Sequence, residues 1–202
     1  MEIADASRAW QNLCSGAQNA APLRSEHWAD KMYSIKTERL FLSNLKDSEK
    51  APLKSMLSDP SVMRHLFAGR PMSSEEADVL IDQYFMKQNG NTGLGSVCDL
   101  AEKKFIGFAG IIPCECVDTG KEFEFGFAFQ DISWGKGYAT EIGRAQIDYA
   151  FKNLDIDRLF ALAHPNNVAS NKVLLKLGMK ILKNIEIKER GERMVYTIER
   201  CA

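Results

Sequence analysis

The sequence has no excess of charge of either sign: 26 Lys+Arg stand against 27 Asp+Glu in 202 residues, a formal net charge of -1. A balance this close to zero excludes the strong positive field of a chain that coats nucleic acid non-specifically, though not a local patch. No apolar run approaches the roughly 20 residues of a membrane-spanning helix. The opening, MEIADASRAWQNLCSG, lacks the basic-then-apolar order of a secretory leader. Cysteines are few and odd in number (Cys14, Cys98, Cys114, Cys116 and Cys201), which excludes a disulfide scaffold and predicts reduced thiols in a cytoplasmic protein. There is no internal repeat and no low-complexity tract. What is present is ordinary for a folded protein: 45% hydrophobic and 26% charged residues, in a length that suits one domain with an appendage.

The composition changes near Met32. Residues 1–31 are rich in Ala, Ser and Asn, and Arg8, Arg24 and Lys31 are offset by Glu2, Asp5, Glu26 and Asp30, so they form no basic arm. They are either an appendage or lie ahead of a true start at Met32. From there, MYSIKTERLFLSNL reads as a strand. KDSEKAPLKSMLSDP reads as a helix on the spacing of Leu53, Met56 and Leu57, with Asp59-Pro60 as its stop. PSVMRHLFAGRPM is loop-like. SSEEADVLIDQYFMKQ is a helix capped by Ser73 or Ser74, with Glu76 or Ala77 at its third position.

The middle of the chain is β. LGSVCDLA and KFIGFAGIIP make a hairpin, and EFEFGFAF a third strand whose Phe123, Phe125, Phe127 and Phe129 share one face, with Glu122, Glu124 and Gly126 on the other. A glycine loop then enters a helix. RLFALAHP is a buried strand, NNVASNKVLLKLGM a helix ended by Gly178, and the last two strands close around Arg190-Gly191.

Two segments carry chemistry. In Trp134-Gly135-Lys136-Gly137-Tyr138-Ala139-Thr140 the closely spaced glycines let backbone approach a ligand, and the free N–H groups of the helix start suit a phosphate. The segment fits neither a Walker loop nor the G-x-G-x-x-G of dinucleotide folds. A tight packing turn is its plain alternative. In His164-Pro165-Asn166-Asn167-Val168-Ala169-Ser170, Asn167 and Ser170 lie three apart at a second helix start and could reach one cleft. An ordinary N-cap is the alternative there.

Taken together, EFGFAF, WGKGYATE and HPNNVASNKVLLKLGM resemble the GCN5-related N-acetyltransferase superfamily. Within it, TERLFLSNL, SDPSVMRHL and IGFAG are similar to the RimJ/RimL-type ribosomal-protein branch. The resemblance covers roughly Met32 to Arg200. It implies an α/β (α+β) fold: a mixed, mostly antiparallel sheet with flanking helices and a splay between its fourth and fifth strands. It also implies acetyl-CoA bound in that splay.

Gly137 and Ala139 match the superfamily's pyrophosphate pattern, and Trp134 replaces its usual Gln or Arg. By resemblance, backbone N–H groups from Gly135 through Lys136, Gly137, Tyr138 and Ala139 to Thr140 would cradle the pyrophosphate. Phe127, Ala128 and Phe129 would pair through their backbone with the pantetheine arm, an added-strand mode, and Asn167 would bond its end. Leu174 stands where many members have the tyrosine that protonates the leaving thiolate, and Met179 replaces a phenylalanine. Ser170 matches the serine that serves in the RimJ/RimL branch.

The acceptor amine must lose a proton before it attacks, since an α-amine has a pKa near about 8 and a lysine near about 10.4. Glu124, on the strand bordering the cleft, is the candidate base or cation binder, with a solvated strand glutamate as its alternative. Cys114-Glu115-Cys116 is at most half a metal site, and no second pair completes it, so no metal is expected. His65 lies in the loop between the first two helices, where the resemblance implies that substrate enters, and reads as a surface histidine rather than as a base; His164 reads as structural.

The expected reaction is direct transfer to a protein N-terminal α-amine by a monomer or homodimer. The alternatives are a small amine (polyamine, amino sugar or antibiotic) as acceptor, a non-catalytic acetyl-CoA-binding domain, and a partner-binding role for residues 1–31. No nucleic-acid or membrane partner is expected.

Overall fold

Alternating apolar positions bury one face of a strand, and from Leu40 to Glu199 the chain builds such strands into a single sheet. The computed structural model describes residues 34–86, 91–114, 122–188 and 190–200, all within one unit, Lys31–Ala202. The expected 1–31 extension and the question of a start at Met32 lie outside the described residues.

The strands are β1 (Ile35–Lys36), β2 (Leu40–Ser43), β3 (Gly93–Asp99), β4 (Lys104–Pro113), β5 (Phe123–Phe129), β6 (Arg158–Ala163), β7 (Lys180–Ile187) and β8 (Gly191–Glu199). Their order across the sheet is β1-β2-β3-β4-β5-β6-β8-β7. Neighbours are antiparallel except β5 and β6, which run parallel. The helices are α1 (Asp47–Leu57), α2 (Pro60–Met63), α3 (Ser74–Ile81, continued by a π turn over Asp82–Met86), α4 (Tyr138–Asn153) and α5 (Val168–Lys176). This is the mixed α/β architecture expected from the sequence.

Three local expectations are corrected. The opening strand is two, because Thr37 turns the chain: its backbone N–H donates to Leu40 O (2.9 Å) and its Oγ1 accepts from the Leu40 N–H (3.0 Å). Asp59-Pro60 ends one helix but also begins another. The Asp59 carboxylate accepts from the Ser61 N–H (2.7 Å), and Pro60 supplies a preset first helical φ, so α2 forms inside the expected loop. Cys114, buried at the end of β4, is disulfide-bonded, against the expectation of reduced thiols, whereas Cys98 is free. The capping box of α3 forms as expected, with Ser73 Oγ accepting from the Glu76 N–H and Glu76 accepting from the Ser73 N–H.

Two large apolar clusters hold the layers together. Leu53, Leu57, Leu80 and Phe85 from α1, α3 and the π turn pack on Leu94 and Phe108 of β3 and β4. Ile147 and Ala150 of α4 and Leu174 of α5 pack on Phe125, Leu159 and Tyr196. Each fully buried large side chain contributes roughly 1.5–3 kcal/mol of transfer free energy. Along β5 the rings of Phe125, Phe127 and Phe129 follow one another at 6.4 Å, the shared face the alternation predicts. Among the described residues no helix is long and apolar enough to cross a membrane.

The feature that positions the site is an interruption. β5 pairs with β4 along its whole length, from Gly107–Phe129 to Pro113–Phe123, but with β6 only at Glu124–Phe160. Beyond that point the two parallel strands part, and the far half of β5 presents an unpaired edge.

Candidate active site

Where β5 ends, the chain makes a short 3-10 turn at Asp131–Ser133 and enters α4 through the glycine loop. Gly135 (φ 74) and Gly137 (φ 84) hold left-handed conformations that cost an L-residue strain, so the glycines here are required by the backbone. Glu141 is the first residue bonded within the helix, its N–H donating to Gly137 O (3.1 Å). The amides of Tyr138, Ala139 and Thr140 therefore have no intrahelical acceptor, at the positive end of a 16-residue helix.

The loop is braced from β2. Arg39 donates through Nη1 to Lys136 O (3.0 Å), through Nε to Glu141 Oε2 (2.7 Å) and through its backbone N–H to Glu141 Oε1 (2.9 Å). Thr37 Oγ1 donates to the same carboxylate (2.6 Å). Burial works to raise the Glu141 pKa, but the donors from Thr37 and Arg39 outweigh it and hold the carboxyl below its usual range. Tyr138 is pinned by its OH donating to Asp99 (2.7 Å), with the Arg39 guanidinium 4.8 Å over its ring. Trp134 is half exposed, and its indole N–H donates to Phe129 O (2.8 Å), so that carbonyl of β5 already has a donor. Gln146, fully buried on α4, donates to Gly126 O (3.3 Å), leaving its own Oε1 without a partner beneath the strand edge.

The splay opens into a cavity of about 130 Å³ that brings Glu124, Phe127, Asn167 and Ser170 together. Asn167 does serve as N-cap of α5, its Oδ1 accepting from the Ser170 N–H (3.2 Å). Ser170 lines the cavity, and among the described residues its Oγ makes no hydrogen bond to the helix backbone, unlike its plain alternative. Leu174 is 3% exposed and lines the cavity, and Met179 is buried in the same apolar cluster. Ala128, paired with Phe108 of β4, and Phe129 are both buried, so neither side chain is exposed at the splay. Glu124 is half-buried at the point where β5 and β6 separate.

The cavity also takes in His65 and two arginines that the sequence reading missed. His65, expected at the surface, is carried inward by the turn after α2; its ring lies 5.1 Å from that of His164, and its buried Nδ1 has no hydrogen bond. Burial first, then the charges of His164, Arg64 and Arg193, push its pKa down, so the ring is neutral near pH 7. Arg190 and Arg193 enter from the β7–β8 turn and β8. Burial, with Arg190 adding to it, pushes Arg193 down to about 10, and its Nη2 donates to Phe67 O (2.8 Å), tying β8 to the α2–α3 loop. The signal available in the sequence was an Arg-Gly-Glu-Arg hairpin turn, which has no periodicity to place it. Asn171 knits the far side, donating to Pro165 O (2.9 Å) and accepting from Tyr196 OH (3.1 Å).

The family model described as an acetyltransferase (GNAT) domain matches residues 39–180. The chain belongs to the GNAT acetyltransferase family. Relatives of this N-acetyltransferase include the uncharacterized protein YkkB of Bacillus subtilis, 32% identical over 154 residues, covering 74% of this chain and 86% of YkkB. Another is the FsC-acetyl coenzyme A-N(2)-transacetylase of Aspergillus fumigatus, 28% identical over 152 residues, 72% of this chain and 64% of that enzyme. Among solved structures, a GNAT-family acetyltransferase from Bacillus anthracis superposes with a TM-score of 0.70 at 22% identity, over 82% of this chain and 98% of that one. The spermidine N-acetyltransferase of Vibrio cholerae, solved with CoA and spermine, gives 0.66 at 18% identity, over 81% and 96%. The ribosomal-protein-S5-alanine acetyltransferase of Vibrio fischeri gives 0.60 at 19%, over 82% and 96%. At these identities the structures share the fold with this chain.

Proposed function

We propose that this acetyltransferase moves the acetyl group of acetyl-CoA directly to the α-amine of a protein N-terminus, in the manner of the RimJ/RimL branch. The observation that carries the reading is the parting of β5 from β6 after Glu124–Phe160: it leaves an unpaired strand edge with the cavity beside it, on a strand that runs on into the glycine loop and the start of α4.

These residues fit acetyl-CoA. The amides from Gly135 to Thr140, of which those of Tyr138, Ala139 and Thr140 have no intrahelical acceptor, suit the pyrophosphate, and nothing stands within 4 Å of where a Cβ would project from Gly126 or Gly135. The β5 edge from Phe127 to Phe129 suits the amides of the pantetheine arm as an added strand, and Asn167 its end. Bound there, acetyl-CoA supplies an activated acetyl thioester and leaves as the free thiol.

The chain's own groups do the rest. Glu124 receives the ammonium form of the acceptor and takes its proton, directly or through water, so that a neutral amine attacks. Ser170 Oγ, without a hydrogen bond among the described residues, donates to the sulfur as negative charge develops there, in place of the tyrosine that Leu174 displaces. Holding amine and thioester together makes the reaction local. No covalent enzyme intermediate and no metal enter this scheme, and a cytoplasmic monomer or homodimer completes it.

The test is mass-spectrometric location of isotope-labelled acetyl over a panel of peptides with free N-termini, spermidine and amino sugars. Label on peptide α-amines is the expected result. Label confined to spermidine or an amino sugar would keep the mechanism and overturn the acceptor.

A further inference from the structure

A buried guanidinium is costly unless a counter-charge or well-placed acceptors compensate it. Arg193 is 3% exposed, and its Nη1 and Nη2 are met by two neutral carbonyls, Glu192 O and Phe67 O, each at 2.8 Å. Among the described residues no carboxylate forms an ion pair with it, and Glu186 acts on it only from a distance. Arg190, beside it, holds a buried Nε with no hydrogen-bond partner. Both line the cavity that contains Glu124 and Ser170. In the sheet order, β6 separates the strand of Glu124 from the strand of Arg193, so cation-accepting and anion-accepting groups face the cavity from different strands.

We infer that Arg190 and Arg193 form an anion subsite for the acceptor, which carries a carboxylate within a few bonds of the amine that is acetylated. This rests on the N-acetyltransferase reading and deepens it: for a protein acceptor, the carboxylate is an acidic side chain in the first residues of the N-terminus. The placement has a physical logic. A protonated amine alone is drawn to Glu124 but repelled by two guanidiniums, whereas a zwitterionic end satisfies both. A polyamine, cationic at both ends, is the worst match. His65 is in keeping with this: burial first, and then the charges of His164, Arg64 and Arg193, lower its pKa. The Arg193–Phe67 bond holds the subsite against the α2–α3 loop, so the anion is read at the wall of the cavity formed by that loop and β8.

The experiment compares kcat/KM for peptides beginning with Asp or Glu against otherwise identical peptides beginning with Asn or Gln. Free glutamate, its amide and spermidine are run in parallel, with wild type, Arg190→Gln and Arg190→Lys. Arg190 is chosen because its Nε has no partner, and an unchanged melting temperature confirms that the variants fold. The acidic acceptors should exceed their neutral isosteres by roughly tenfold to a hundredfold, the range of a charge-assisted hydrogen bond. Arg190→Gln should remove most of that ratio and Arg190→Lys should keep part of it.

Equal rates for acidic and neutral peptides would overturn the subsite while leaving the N-terminal reading intact. Acetylation of free glutamate with no peptide acetylated would support the subsite and overturn the protein acceptor. Preference for spermidine would overturn both. A succinyl-CoA arm separates the remaining source of a carboxylate: if Arg190→Gln changes the choice between succinyl-CoA and acetyl-CoA but not between acceptors, the anion belongs to the acyl group and the inference fails.

Discussion

Replacing Ser170 with alanine isolates one hydrogen bond of the reaction. The cap of α5 uses the Ser170 backbone N–H, donated to Asn167 Oδ1, and survives the change. Ser170 lines the cavity and among the described residues its Oγ makes no hydrogen bond, so stability should move by no more than about 0.5 kcal/mol. The rate should not survive. Removing one positioned donor from a developing anion costs about 10²–10³ in kcat where the anion is an alkoxide. A thiolate is a weaker acceptor, so the expected loss is near the lower end, about a hundredfold. Leu174, apolar and buried, offers no replacement donor. The measurement is steady-state kcat by mass detection of acetylated product, with calorimetric binding of acetyl-CoA and a thermal melt on the same protein. Binding and melting should stay at wild-type values while kcat falls. A kcat within threefold of wild type, with fold and binding intact, would refute the assignment of Ser170 as the donor to sulfur.

Glu124→Gln should lower kcat/KM most near neutral pH and least near pH 9–10, where the acceptor is already deprotonated; a uniform loss across the pH profile would point to binding instead. Gly137→Ala places a side chain at φ 84, costs about 1–2 kcal/mol, and should weaken acetyl-CoA binding measured by calorimetry. Glu141→Gln loosens the brace from Thr37 and Arg39 and should lower the melting temperature together with acetyl-CoA affinity, charge-assisted bonds of this kind contributing about 1.5–3 kcal/mol. His65 has a folded pKa below its ordinary 6.5, so the unfolded chain takes up that proton first as the pH falls. Stability should therefore decline from about pH 6.5 downward, and His65→Phe should flatten that part of a melting-temperature profile.

The periodic parts of this fold were legible because burial writes them into the sequence: the phenylalanines of β5, the capping box of α3 and Gly178 after α5 each express a local rule. What escaped depends on distant partners. Thr37 splits the first strand by a turn bond and gains its purpose from Glu141, on a helix a hundred residues later. α2 hides in a segment too short for periodicity, revealed by the Asp59 cap. His65 looked superficial because nothing nearby in sequence covers it; His164 does, from the end of β6. The glycine loop and the helix start at Asn167 were found as local patterns, and their resemblance to a family joined them. The cavity's two arginines belong to no such pattern, and only the hairpin of β7 and β8 brings them beside Glu124.

In the proposed reaction the acetyl group passes directly from a thioester to an amine in the splay beside β5. Intact-mass spectrometry in a single turnover tests it most directly, mixing enzyme with isotope-labelled acetyl-CoA first alone and then with an acceptor peptide. Unlabelled enzyme in the first mixture, and label on the peptide α-amine alone in the second, is the result this account predicts. An acetylated enzyme that, once isolated, passes its label to the peptide would contradict it.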